Sequence, residues 1–283
     1  MRNINYKFHR RIDIKCGKHE LKLGSRTFIM GILNATPDSF SDGGEYIDVE
    51  KAIKHAKEMV MEGAHIIDIG GESTRPGSKE VDGEEELRRV LPIVKRLVKE
   101  VDVPISVDTY KAQVAEKALG AGAHIINDVW GLQRDPDLAS VVAKYNAVVV
   151  AMHNQNGTEY KNDIMEEICG FLKKSIDIAL KAGVKRENII LDPGIGFGKT
   201  PEQNMVVMSR LGELNDLGYP TLLGTSRKSM IGKILDLPPK ERVEGTLATT
   251  VMGIMQGMDI VRVHDIKENV RTAKVTDAII RRF

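Results

Sequence analysis

Ile189-Ile-Leu-Asp-Pro-Gly-Ile-Gly-Phe-Gly198 is the stretch on which the architecture of this chain turns. The aliphatic run Ile189–Leu191 shows no polar alternation, so the strand it forms is covered on both faces, as in a parallel sheet. It ends on a carboxylate, Asp192, and passes into a turn rich in proline and glycine. Short apolar runs that give way to polar residues or glycine recur at Thr27–Leu33, His65–Ile69, Val103–Val107, His124–Ile126, Ala147–Ala151, Thr221–Leu223 and Ile260–Val263. These runs are short, rich in β-branched residues, and separated by longer stretches of helical period.

The helical stretches carry their own punctuation. Val49, Ala52, Ile53, Ala56, Met59 and Val60 make one apolar stripe, with Asp48 placed to cap its start and Gly63 its end. Leu87, Val90, Leu91, Val94, Leu97 and Val98 repeat that spacing around Pro92, which predicts a kink or a late helix start. Asp163 is placed to cap a third helix whose face includes Ile164, Ile168, Phe171 and Leu172. Asp265 and Glu268 stand at capping-box spacing before the last one.

Strict alternation of strand and helix, with right-handed crossovers, closes most naturally at eight strands. We therefore expect a single (β/α)8 (TIM) barrel over residues 26–283, with residues 1–25 forming a short hairpin across its bottom. A doubly wound open sheet is the rival architecture. The length of 283 residues suits one such barrel, and 42% hydrophobic with 29% charged residues argues for a large core. A net charge of +1 supplies no global field for nucleic acid or a membrane surface, so any anion must be held by a local constellation. The only two cysteines, Cys16 and Cys169, have no metal-ligand spacing and read as inert core thiols of a cytoplasmic protein.

Polar residues collect at one end of every strand, the catalytic face of such barrels. Asn34 opens a long polar segment, and Gly70-Gly-Glu-Ser-Thr-Arg-Pro-Gly77 follows the second strand. Asp108, Asn127-Asp128, Met152-His153 and Asp192 end later strands, and Gly224-Thr-Ser-Arg-Lys-Ser229 follows the seventh. Arg262 and His264, two apart in the last strand, should leave the same face and enclose an anion, Arg262 by a two-pronged phosphate contact. Pairing of each with an acid on a neighbouring loop is the alternative. Asp108, Asn127 and Asp192 together suit a neutral ligand rich in N–H donors, because a carboxylate accepts two parallel N–H bonds. Metal ligation competes, as does helix capping for each residue alone. Lys228 adds a point charge where Ser226–Ser229 begins a helix. The glycines at 194, 196 and 198 lack the GxGxxG spacing and follow the wrong strand for a phosphate loop, so a tight turn is the reading they support.

The segments Asn34-Ala-Thr-Pro-Asp-Ser-Phe-Ser-Asp-Gly43, Asp68-Ile-Gly-Gly-Glu-Ser-Thr-Arg-Pro-Gly77, Ser106–Thr109, Ile126–Asp128, Leu191–Gly194, Ser226–Ser229 and Arg262–Asp265 resemble, in order, the signatures of the dihydropteroate synthase family. The resemblance runs from about residue 27 to the C-terminus. It implies condensation of 6-hydroxymethyl-7,8-dihydropterin diphosphate with 4-aminobenzoate to give 7,8-dihydropteroate and diphosphate, with Mg2+ as cofactor. Asp108, Asn127, Met152, Asp192 and Lys228 would hold the pterin. Asn34, Thr74, Arg262 and His264 would hold the diphosphate, Asn34 also the metal, while Phe40, Arg75, Pro76 and Ser229 would line the 4-aminobenzoate pocket. Asp108, Lys228, Arg262 and His264 would carry the chemistry. The resemblance further implies a homodimer and sulfonamide binding in the 4-aminobenzoate pocket, with small molecules as the only other partners. A pterin-binding barrel that moves a methyl group from methyltetrahydrofolate, and a barrel that binds pterin without turnover, are the alternative readings.

Overall fold

A computed structural model describes residues 11–35, 44–72 and 80–281. Strands β1 (Ile12–Cys16) and β2 (His19–Leu23) form an antiparallel hairpin turned at Gly17, whose φ of +61° suits glycine. The remaining strands are parallel: β3 (Phe28–Asn34), β4 (Ile66–Gly70), β5 (Ile105–Asp108), β6 (Ile125–Asp128), β7 (Val148–Met152), β8 (Ile189–Asp192), β9 (Leu222–Leu223) and β10 (Ile260–Val263). Their order is β8-β7-β6-β5-β4-β3-β10-β9. The ring closes where Leu191 of β8 bridges Thr221 just ahead of β9, and Leu191 N–H donates to the Pro220 carbonyl at 2.9 Å. That closure rules out the open sheet.

Around the barrel run α1 (Gly44–Glu62), α2 (Gly83–Glu100), α3 (Ala112–Gly120), α4 (Leu138–Lys144), α5 (Ile164–Lys181), α6 (Pro201–Ser209), α7 (Ser229–Leu235), α8 (Val243–Met255) and α9 (Ile266–Ile280). Outward strand residues such as Ile67, Ile69, Val107 and Val149 pack with helix residues such as Val94, Leu97 and Leu172. A second cluster lies inside the barrel. Met30, Ile66, Ile125, Val148, Ile190, Leu222 and Ile260, all near the strand beginnings, pack with Ile14, Cys16, Leu21 and Leu23 of the hairpin. The hairpin thus plugs the bottom, and apolar side chains fill the lower barrel, leaving polar chemistry to the opposite mouth.

Two histidines help fix the bottom of the barrel. His65 Nδ1 accepts the Ile29 N–H at 3.0 Å, and His124 Nδ1 accepts the Ile105 N–H at 3.1 Å. Each imidazole stands just before a strand and serves the first residues of its neighbour. Burial lowers both to about 4, so both are neutral acceptors at pH 7.

Local expectations differ from the structure in instructive places. The strands extend one or two residues further into the polar end than the apolar runs suggest, so Asn34, Asp108, Asp128 and Asp192 lie within them. β5 starts only at Ile105, because Pro104 has no N–H for the ladder. Pro92 neither delays nor ends α2, which opens at Gly83 under an Asp82 cap; Pro92 lies on the exposed face, where a missing helical hydrogen bond costs least. Helix α1 opens at Gly44, so Asp48 lies inside it, while Gly63 (φ +105°) ends it as expected. Asp163 caps α5 by accepting from Met165 and Glu166 N–H. Asp265 makes no capping bond, because Arg227 takes its carboxylate in a two-pronged ion pair. The capping box that does form is Thr200 with Gln203, at α6. Cys16 is a core thiol pushed up to about 12 by burial, whereas Cys169 is only half-buried.

Candidate active site

The barrel mouth is built from single residues contributed by successive strands. Asp68 of β4, fully buried, accepts through one oxygen from Arg262 Nε at 2.6 Å and Asn127 Nδ2 at 3.1 Å. Arg262 Nη2 reaches Asp108 on β5 at 2.7 Å. Strands β4, β5, β6 and β10 are therefore tied by one guanidinium, two carboxylates and one amide. The second oxygens of Asp68 and Asp108 are buried with no hydrogen-bond partner among the described residues. A buried carboxylate oxygen without a donor is costly, so it marks a place where a ligand N–H belongs.

Burial pushes the Asp108 carboxyl up to about 7; Arg262 opposes this, and Asp68 adds to it. Asp192 is likewise raised by burial, against the pull of Lys228 and the Gly194 N–H, which it accepts at 2.7 Å. Burial lowers Lys228 to about 8, with Asp192 the leading influence holding it charged. The Lys228 ammonium donates to the Ile195 carbonyl and lies 4.5 Å from the centre of the Phe197 ring. A Cβ added to Gly224 would come within 3.9 Å of Asp192 Oδ2 and 4.0 Å of Lys228 Nζ, so both ends border the space over Gly224. The mouth thus carries acids raised toward neutrality beside a lysine lowered toward it, a pattern typical of reactive sites.

Asp108, Asn127, Asp192, Lys228 and Arg262 come together here. Asp128 does not: both its oxygens are spent on the Trp130 N–H at 2.7 Å and the Leu132 N–H at 2.5 Å, so for this residue closing the turn after β6 is the whole account. Arg262 and His264 do not enclose a shared vacant face. Arg262 turns onto the carboxylates of β4 and β5, while His264, one residue past β10, places Nδ1 2.9 Å from Ser226 Oγ. Beyond the strand end the pleat no longer sets side-chain direction. Met152 is buried at the end of β7, Asn34 is half-buried at the end of β3, and Ser229 is exposed at the first residue of α7. Thr74, Phe40, Arg75 and Pro76 lie outside the described residues, as do most of the two long loops that carry them.

The reading from sequence missed Asp68, although its signal was available: it is a charge in the middle of an apolar run covered on both faces, and such a charge needs a partner. It also missed Lys111, which binds Glu72 and the buried Glu86 at the base of the second loop, and the buried pair Lys199 and His153.

The family model described as pterin binding enzyme matches residues 30–264. The chain belongs to that family. A dihydropteroate synthase from Clostridium beijerinckii is 60% identical over 270 residues, covering 95% of this chain and all of that one. The crystal structure of dihydropteroate synthase from Clostridium difficile in the presence of pteroic acid is 62% identical, with a TM-score of 0.91, covering 93% of this chain and 100% of that one. The Xanthomonas albilineans dihydropteroate synthase with 4-aminobenzoic acid is 40% identical, with a TM-score of 0.91 and 95% and 98% coverage.

Among the described residues of this family member, no group of three or more His, Cys, Asp or Glu side chains is placed to cage a metal ion. Mg2+ fits nonetheless, because it commonly keeps several waters and is held by substrate phosphates with one or two protein oxygens. The Asn34 side-chain oxygen at the end of β3 meets that requirement.

Proposed function

We propose that this chain is a dihydropteroate synthase, joining 6-hydroxymethyl-7,8-dihydropterin diphosphate to 4-aminobenzoate with release of diphosphate. The observation that carries the reading is the pair of buried carboxylate oxygens on Asp68 and Asp108 with no partner among the described residues, set in a mouth that also holds Asn127, Asp192, Lys228 and Arg262. A pterin presents a ring N–H beside a 2-amino group, the parallel donor pair that the Asp192 carboxylate accepts. Asn127 and Lys228 supply the complementary polar contacts, and Met152 packs beside the ring.

Loss of the diphosphate leaves positive charge that the electron-rich dihydropterin delocalises. The Asp108 carboxylate, paired with Arg262, faces that charge and stabilises it electrostatically. The departing diphosphate draws on the Arg262 N–H groups not committed to Asp68 and Asp108, with His264, Asn34 and Thr74 around it; bound Mg2+ would supply further charge neutralisation there. The 4-aminobenzoate nitrogen then attacks from a pocket formed by Phe40, Arg75, Pro76 and Ser229. No covalent enzyme intermediate is required. Sulfonamides, being para-substituted anilines, compete for the same pocket.

We further propose a homodimer. Helices α6, α7 and α8 pack on one another and expose Met205, Val206, Ile234, Leu235 and Met252, an apolar surface that a second copy would cover. Two free cysteines suit the cytoplasm, and no helix among the described residues is long and apolar enough to cross a membrane. The test is turnover by purified protein. Diphosphate release that requires both substrates supports the reading; methyl transfer from methyltetrahydrofolate, or pterin binding without turnover, overturns it.

A further inference from the structure

The loop after β8 is held by a buried lysine that the chemistry above does not use. Lys199 is 8% exposed and makes no ion pair with any described residue. Its ammonium instead spends its three N–H groups on the Gly194 carbonyl at 2.9 Å, the Phe197 carbonyl at 3.0 Å and His153 Nδ1 at 2.9 Å. His153, at the end of β7, is buried against Tyr160 and Phe171, and burial lowers it to about 3, so its imidazole is a neutral acceptor.

What this clamp holds is the segment between Asp192 and α6. That segment lies outside the ladder: the Gly194 carbonyl takes one backbone donor, the Phe197 N–H at 3.1 Å, and side chains bind its carbonyls besides. Gly194 and Phe197 are bound by Lys199, Ile195 by Lys228, and Gly198 by the Tyr160 hydroxyl at 2.9 Å. The segment has no room to relax. A Cβ on Gly194 (φ +69°) would lie 1.9 Å from the His153 carbonyl oxygen, and one on Gly196 (φ +84°) 2.9 Å from Lys228 Cδ. The Gly194 N–H orients the Asp192 carboxylate, and the Ile195 carbonyl orients the Lys228 ammonium. Both pterin-facing groups are thus aimed by one six-residue turn that Lys199 closes.

We propose that Lys199 is a positioning residue for pterin binding: it fixes the turn that aims Asp192 and Lys228, and its charge favours the ionised Asp192 carboxylate. Three donors on one flexible stem explain why an ammonium stands here, since no neutral side chain reaches three divergent acceptors. The groups facing Asp192 are Lys228, Arg262 and Lys199, with Asp108 and Asp68 across the mouth on Arg262. Burial lowers Lys199 to about 7, and its charge is among the influences that oppose the burial-driven rise of Asp192.

The inference rests on the mouth being a pterin site, so binding of pterin diphosphate to the wild-type enzyme is measured first; its absence would sink that reading and this one together. Lys199→Met keeps the stem and removes the donors. The dissociation constant for pterin diphosphate should rise by about tenfold, a pterin lacking the diphosphate should lose as much, and the KM for 4-aminobenzoate should stay put. The acid limb of pterin affinity should move to higher pH by roughly half a unit or more, because a lost positive neighbour makes Asp192 easier to protonate. Unchanged pterin affinity and an unmoved limb, with activity falling only as folded protein is lost, would show that Lys199 merely holds the fold. Should Lys199→Met not fold, His153→Phe keeps the aromatic packing and removes one acceptor. A weaker loss of pterin affinity in the same direction supports the proposal, and wild-type affinity overturns it.

Discussion

Asp192→Asn isolates the group that reads the pterin. In the wild-type mouth one Asp192 oxygen accepts the Gly194 N–H and the other lies near Lys228. An asparagine keeps the first contact through its carbonyl and turns an NH2 toward the second. It then opposes a substrate N–H with an N–H and places a donor beside the Lys228 ammonium. Losing two charge-assisted hydrogen bonds costs about 3 kcal/mol, or roughly a hundredfold in pterin affinity. The fold should be indifferent, because burial already disfavours the Asp192 charge; the melting temperature should stay within about 2 °C of wild type. A second signature follows from Lys228. Asp192 is the leading influence keeping that buried ammonium charged, so removing it drops the lysine further below about 8, and the alkaline limb of pterin affinity moves to lower pH. Calorimetric titration with pterin diphosphate between pH 6 and 9, beside a thermal melt, measures both. Near-wild-type affinity, or an alkaline limb that stays in place, would refute the assignment of Asp192 and its coupling to Lys228.

The barrel was legible because its signal is repeated: eight covered strands, each ending in polar residues, constrain one another even where single boundaries are blurred. The functional end was legible for the same reason, since Asp108, Asn127 and Asp192 each directly follow the apolar run of their strand. Connectivity within the mouth was not. Nothing in Val261-Arg-Val-His264 says that Arg262 will bond Asp68, because that contact joins residues 194 positions apart and exists only once the ring is closed. Capping was legible where the side chain had no competitor, as at Asp163, and failed at Asp265, where Arg227 offers a charged partner worth more than a backbone N–H. Lys199 was invisible for a related reason. Two of its three partners are backbone carbonyls, and a carbonyl leaves no trace in the residue type that carries it.

Further substitutions separate the remaining roles. Arg262→Lys keeps the charge but cannot bridge Asp68 and Asp108 in the same way, so activity should fall about a hundredfold; equal losses for pterin with and without diphosphate would mean that Arg262 organises the mouth and does not grip the leaving group. Asp68→Asn removes one of the two acids on Arg262 and should cost about 2 kcal/mol of pterin binding, less than a broken isolated pair because Asp108 remains; wild-type affinity would confine Asp68 to the fold. Substitutions at Phe40 or Pro76 should raise the KM for 4-aminobenzoate and weaken sulfonamides while sparing pterin affinity, and an unchanged KM for 4-aminobenzoate would remove both residues from its pocket. The bottom of the barrel gives the last test. His65 and His124 are lowered from 6.5 to about 4 in the folded chain, so the unfolded chain binds more protons between those values. Their contribution is therefore complete above pH 6.5 and is lost as pH falls toward 4. At about 1.4 kcal/mol per unit, halved for partial exposure, the two together should remove about 3 kcal/mol. A glutamine at each position still accepts the Ile29 or Ile105 N–H without titrating, so the double variant His65→Gln, His124→Gln should show a visibly shallower fall in the urea midpoint between pH 7 and 4.5. An equally steep fall in that variant would place the acid sensitivity elsewhere and leave the two histidines as packing alone.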